Sequence, residues 1–310
     1  MAGQVETASR GPEEWIWGWD PTPGIVSIYA DPDGRATVWR RIPATGTLVR
    51  EEECFRPWLL LDRIDDLLHL GAQLGRDDDT ATSIRYRELH GPGALRYLVS
   101  ADDGRALATA VLRGASARLG ERIGHLGDLP KHSVLALAPE EQYLVATGRT
   151  YFRDLPFDEV HRLQFDLETM GLDARRDRIF MISIRYHTGE TEVLEAAAEG
   201  DAAEAALIRQ LMERVRAADP DVIENHNLHG FDLPFLDRRS RILGIPLTLG
   251  RIGGAGLKQR AARRGTPRGA VGGGESDDRH RVRFVAPGRE LIDTLDAVRR
   301  HDFSTRELPG

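Results

Sequence analysis

A single cysteine, Cys54, occurs in the 310 residues, which excludes an internal disulfide and any cysteine-rich zinc site. A metal site in this chain must therefore rest on carboxylates or histidines. Long apolar runs are missing too. No stretch approaches the roughly 20 residues a membrane helix requires, and Met1 to Glu14 is polar where a secretory leader needs an apolar core. Both absences fit a reducing, aqueous compartment, and the cytoplasm is the expected location. A basic surplus is also lacking: the formal net charge is −7, which argues against a protein that coats nucleic acid by bulk charge. Local patches must do any such binding. One candidate is the stretch Arg251 to Arg283, where Arg263 and Arg264 stand among basic residues opposed only by Glu275, Asp277 and Asp278. Its plain alternative is a solvated glycine-rich loop. Aromatic residues make up 6% of the chain, and Trp15, Trp17, Trp19, Trp39 and Trp58 read as core residues in preference to base-stacking platforms.

What is present suffices for two cores, since the length exceeds that of a usual single domain and 41% of the residues are hydrophobic. Residues 1–13 read as a disordered tail and residues 14–157 as a mixed α+β domain. Within the latter, Gly24–Tyr29 and Ala36–Arg41 flank the turn Asp31-Pro32-Asp33-Gly34 as a hairpin. Strands are expected at Phe55–Leu61, Thr82–Leu89 and Arg96–Val99, and a helix over Asp102–Leu119. In residues 158–310 the pattern changes. Leu163–Leu167, Ile179–Tyr186 and Thr191–Leu194 form a meander, with Phe180, Ile182, Ile184 and Tyr186 on one face of the second strand. A helix follows over Asp201–Ala218, with Asp201 as N-cap and Glu204 completing a capping box. Asp219-Pro220 stops it; a short strand at Asp221–Glu224 and a helix over Phe231–Leu243 come next. The fold class is α/β: three antiparallel strands, then helix, strand and helix, the order of a ribonuclease-H-like sheet.

Asp166 and Glu168 lie two apart on a predicted strand, so both side chains leave one face with stems about 6.5–7 Å apart. The rest of the run Leu163-Gln164-Phe165-Asp166-Leu167-Glu168 is mostly apolar, where a charge needs a cation or a basic partner; the alternative is a strand with one wet face. Asn225-His226-Asn227-Leu228-His229-Gly230-Phe231-Asp232 follows the next strand. Asp232 falls at a helix start, where the macrodipole favours a carboxylate and capping is the simpler explanation. His226 and His229, three apart in a turn, support zinc poorly.

Together these segments resemble the family B DNA polymerases. Phe165-Asp166-Leu167-Glu168-Thr169 is similar to the family's first exonuclease motif, and Asn227 to Asp232 resembles the second. Asp219-Pro220-Asp221-Val222-Ile223 precedes that second motif in a manner typical of the family. Weaker likeness extends through Glu141-Gln142-Tyr143-Leu144 and Phe157, and through Gly288 to Asp293. The resemblance implies a 3′-to-5′ proofreading exonuclease behind the family's N-terminal domain, acting on the single-stranded or frayed 3′ end of DNA. It further implies two divalent cations, Mg²⁺ or Mn²⁺, held by Asp166, Glu168 and Asp232, with Thr169, Asn227 and Phe231 lining the cleft. The basic insert would stand where the family carries a DNA-contacting hairpin.

The third motif of the family, a Tyr, three residues and an Asp, is not found, nor is its histidine version. Asp293 and Asp296 do not substitute for it, since Asp293 matches the family's final strand, and both read as structural residues. The sequence therefore reads as truncated before the fourth metal-binding Asp and before a polymerase domain that a longer product would supply. Two readings stay open: a hydrolase trimming 3′ ends, or a nucleic-acid-binding domain without independent catalysis.

Overall fold

The computed structural model describes residues 19–260 and 283–298. The expected tail, Trp15 and Trp17, and the arginines Arg263 and Arg264 lie outside the described residues. Near the start, the turn at Asp31 to Gly34 closes strand β1 (Ile25–Ala30) onto β2 (Arg35–Arg41), with Asp31 and Arg35 joined through Asp31 N–H at 2.8 Å. A further strand, β3 (Leu48–Cys54), completes a sheet of order β1-β2-β3. Its sequence, Leu-Val-Arg-Glu-Glu-Glu-Cys, carries little apolar signal because it is half exposed along its length. The next strand starts three residues later than the pattern Phe55–Leu61 suggests. Phe55 N–H is taken by the Gly34 carbonyl at 2.8 Å, and Pro57 has no N–H to give.

The chain divides into two compact units: Met1–Thr22, Tyr29–Val38 and Arg50–Arg153 form one, and Pro23–Ile28, Trp39–Val49 and Asp154–Gly310 the other. The first holds strands β4 (Trp58–Leu61), β5 (Leu74–Arg76), β6 (Ile84–Glu88), β7 (Tyr97–Ala101) and β8 (Val134–Leu135) in the order β5-β6-β7-β4-β8. Helix α1 (Gly104–Leu119) is capped by Asp103, whose carboxylate accepts the Arg105 and Ala106 N–H groups, and it ends at left-handed Gly120, as capping chemistry requires. Its Leu107, Val111 and Ala115 are buried with Leu59, Leu61 and Val99. In helix α2 (Pro139–Thr147) Tyr143 is fully buried and donates its hydroxyl to Glu53 at 2.6 Å. Of the tryptophans in view, Trp39 and Trp58 are core residues, whereas Trp19 is 56% exposed under the Arg153 guanidinium.

The second unit is built on β9 (Arg162–Thr169), β10 (Ile179–Arg185), β11 (Thr191–Glu195), β12 (Val222–Asn225) and, after the short pair β13 (Lys258–Arg260) and β14 (Arg283–Val285), β15 (Glu290–Asp293). The sheet order is β11-β10-β9-β12-β15; β9, β10 and β11 are antiparallel, and β12 runs parallel to both β9 and β15. This is the predicted ribonuclease-H-like arrangement. Alternation along β9 and β10 sends Leu163, Phe165, Leu167, Ile182 and Ile184 into one core with Leu207, Ile208, Leu211 and Val215 of helix α3 (Asp201–Ala218) and Phe235 and Leu236 of helix α4 (Leu233–Ile242). Each such side chain contributes about 1.5–3 kcal/mol by leaving water.

Two expectations are corrected here. Phe180 does not share the face of Ile182 and Ile184: the register slips between Ile179 and Met181, so Ile179 is buried and Phe180 is 41% exposed. An extra residue in one strand flips what precedes it to the other face. Glu204 closes no capping box either. Its buried carboxylate accepts Ile179 N–H at 3.0 Å and Arg239 Nε at 2.8 Å, while Gly200 takes the N-cap position.

Asp221, fully buried at the entrance to β12, is gripped by Arg41 through Nε and Nη2 at 2.8 Å each, by Arg251 Nη2 at 2.9 Å and by His161 N–H at 3.1 Å. Burial alone would raise this carboxyl; the hydrogen bonds from Arg41 and Arg251 outweigh it and hold it below its ordinary value. Arg251 is thus a buried structural residue and not part of a free basic patch.

Candidate functional site

The alternation that builds the core also places the acids. With Phe165 and Leu167 buried, Gln164, Asp166 and Glu168 occupy the opposite face of β9, and both acids are exposed. Across the sheet they stand opposite Ser183 and Met181 of β10. The wet-face description is accurate for this strand, and it is compatible with acids that await a cation.

The second segment begins where β12 ends. Asn225 pairs in register with Asp293 of β15, and the chain then turns at Asn227, whose φ of 68° is left-handed. A single wide π-helical turn, Leu228–Asp232, leads into α4, so that helix starts two residues after Phe231. Asp293 frames this turn. Its Oδ1 accepts Asn227 N–H and its Oδ2 accepts His229 N–H, both at 3.0 Å, so it is a structural residue, as its place on the last strand implies. Gly230 is required by close approach: a Cβ there would meet Asn227 Oδ1 at 2.1 Å. Asp296 faces Arg283 at 3.7 Å.

Asp232 is the unusual group. It is 2% exposed, makes no side-chain capping bond to α4, and leaves Oδ1 without a hydrogen-bond partner. The capping explanation is therefore withdrawn. Burial, with the charge of Asp166 added, pushes its carboxyl up to about 7. Buried carboxylate oxygens are nearly always satisfied, and a divalent cation satisfies an oxygen of this kind; the donor set, all carboxylate, suits Mg²⁺ or Mn²⁺. Asp232 and Asp166 thus interact, while among the described residues no group of three or more His, Cys, Asp or Glu is already gathered to metal-binding distance.

The remaining candidates are placed as follows. Thr169 donates its hydroxyl to Gly171 O at 2.8 Å. Phe231 is half-buried against the core, with its ring 5.5 Å from that of Phe235. His229 accepts Phe284 N–H through Nδ1 at 3.2 Å, and burial lowers its pKa, so it serves as a neutral acceptor. β13 and β14 pair antiparallel, Lys258 opposite Val285 and Arg260 opposite Arg283, which makes them the arms on either side of residues 261–282.

Sequence reasoning does not single out Asn225. Its carboxamide accepts Phe165 N–H at 3.0 Å and donates to the Phe165 carbonyl. The available signal is an asparagine closing the short strand Val222–Asn225, every residue of which is buried, two residues before the motif.

Two acids on one strand of a mixed five-stranded sheet, with a buried acid closing the turn that follows the neighbouring parallel strand, fit a ribonuclease-H-like domain in the chain's second unit. Residues 149–301 match the family model described as the exonuclease domain of DNA polymerase family B. The DNA polymerase 2 of Aeropyrum pernix is 35% identical over 111 residues, 34% of this chain and 13% of that protein. A DNA polymerase of Pyrococcus glycovorans is 34% identical over 111 residues, 33% of this chain and 14% of that protein. The chain thus matches about one seventh or less of these relatives' length. The solved family B DNA polymerase of Pyrobaculum calidifontis superposes with a TM-score of 0.53 at 20% identity, over 88% of this chain and 36% of that one, which supports the fold. No helix among the described residues is long and apolar enough to cross a membrane.

Proposed function

We propose that this chain carries a 3′-to-5′ exonuclease of the proofreading type, hydrolysing phosphodiesters at a single-stranded or frayed DNA 3′ end. The observation that carries the reading is the buried, unpartnered Oδ1 of Asp232 beside Asp166 on β9. An acid kept at that cost in a domain of this family has a use in binding a cation. Asp166, Glu168 and Asp232 would hold Mg²⁺ or Mn²⁺, which when bound activates water and neutralises the leaving 3′ oxygen. The chain's own residues do the positioning. β9 presents two acids of different length, Asn227 and Phe231 lie in the turn that carries the third, and Thr169 ends the strand. Arg263 and Arg264 are assigned to the DNA backbone, and a polymerase domain in a longer product is the expected partner.

A second reading, DNA binding without independent hydrolysis, draws on the open disposition of the acids, which do not form a gathered cluster among the described residues. Incubation with 5′-labelled single-stranded DNA and Mg²⁺ or Mn²⁺ separates the two. Stepwise shortening from the 3′ end, abolished in Asp166→Ala, is expected. Equal trimming by both chains, or none by either, overturns the catalytic reading.

A further inference from the structure

We propose that Asn225 is a positioning residue of this site, whose carboxamide fixes the backbone that carries Asp166, so that this acid is presented to the cation in a set orientation. The inference rests on the exonuclease reading. Backbone pairing between β12 and β9 covers Val222 with Arg162 and Ile223 with Leu163, then stops. Two residues on, the Asn225 side chain takes over the ladder. Oδ1 accepts Phe165 N–H at 3.0 Å and Nδ2 donates to the Phe165 carbonyl. That carbonyl belongs to the peptide whose nitrogen is that of Asp166, so the plane at the root of Asp166 is set by Asn225.

The main chain of Asn225 is anchored on the far side, where its carbonyl accepts the Thr294 hydroxyl at 3.2 Å and Asp293 lies alongside in register. A carboxamide suits the task because it offers a donor and an acceptor without charge. An apolar residue would strand the Phe165 N–H and C=O inside the protein, and an aspartate would bring a third negative charge to Asp166 and Asp232. What joins this asparagine to the acids is the peptide it holds, which is the one that ends on the Asp166 nitrogen.

Mn²⁺ binding to the full chain, without DNA, followed through the paramagnetic resonance signal of the free ion, tests the assignment. Asn225→Ala is compared with Val215→Ala, which opens a cavity under α3 at a buried residue and lowers stability without touching the acids. The expected result is a ten- to hundredfold loss of Mn²⁺ affinity in Asn225→Ala, the range for residues that orient metal ligands, with affinity retained in Val215→Ala. Trimming assays should show kcat reduced by a similar factor at unchanged KM for DNA. Asn225→Ser, which leaves one hydroxyl where two groups are needed, serves the same comparison with the same direction if the alanine chain does not fold. Unaltered Mn²⁺ affinity in the Asn225 variants, or an equal loss in Val215→Ala, overturns the positioning role alone. No Mn²⁺ binding by the unaltered chain overturns the exonuclease reading itself, so the two failures are distinguishable.

Discussion

The negative charge of Asp166 adds to burial in raising the proton affinity of Asp232, and the second acid is held to about 7. An unfolded aspartate titrates near 3.9, so between these values the folded chain binds the extra proton. Stability therefore falls as pH rises from about 4 to 7, and the penalty is complete above 7. Three pH units correspond to about 4 kcal/mol at most. Asp232→Asn, melted in EDTA, should be more stable than the unaltered chain by up to that amount at pH 8 and nearly equal to it at pH 4. Adding Mg²⁺ at pH 8 should raise the Tm of the unaltered chain more than that of the variant. Equal melting at both pH values would show that Asp232 is not strained in this way.

Glu204 offers a cleaner stability test, because the two explanations of this residue differ severalfold. As a cap it would be worth about 1 kcal/mol. As the buried partner of Arg239, both under 5% exposed as side chains, its loss leaves an unpaired guanidinium and costs about 3–5 kcal/mol. Urea denaturation of Glu204→Ala should find the larger value.

Arg263 and Arg264 are assigned to the phosphate backbone on sequence alone, and their test is salt. Each phosphate contact on a single strand steepens the dependence of log Kobs on log salt by about 0.7. Replacing both with alanine should flatten the slope measured with single-stranded DNA by roughly 1.4. An unchanged slope removes them from the interface.

These residues also show why some of the molecule was legible in the sequence and some was not. Asp166 and Glu168 could be placed because a period of two is local: burying Phe165 and Leu167 leaves no other face for them. Helix α3 was legible from end to end for the same reason, its apolar stripe repeating over the full Asp201–Ala218 span. The burial of Asp232 was not, since it depends on a turn framed by Asp293, far along the chain. Asn225 matters because a ladder stops early, which no periodicity records. Phe180 was misplaced by one slipped residue, and Arg251, which sits in a basic stretch of sequence, is folded back onto Asp219 and Asp221.

The grip of Arg41 on Asp221 reaches across 180 residues of sequence, and residues 23–28 and 39–49 belong to the same compact unit as residues 154–310. A chain starting at residue 149, where the family match begins, would keep the Asp221 carboxylate and Arg251 and lose the bidentate one of its two guanidinium partners. On the ribosome the sequence of events is equally constrained. At roughly 5–20 residues per second, Arg41 emerges some 10–40 s before its partner has been made. Over that interval its guanidinium stays in water, and the first segment of this domain to be synthesised is among the last that can dock.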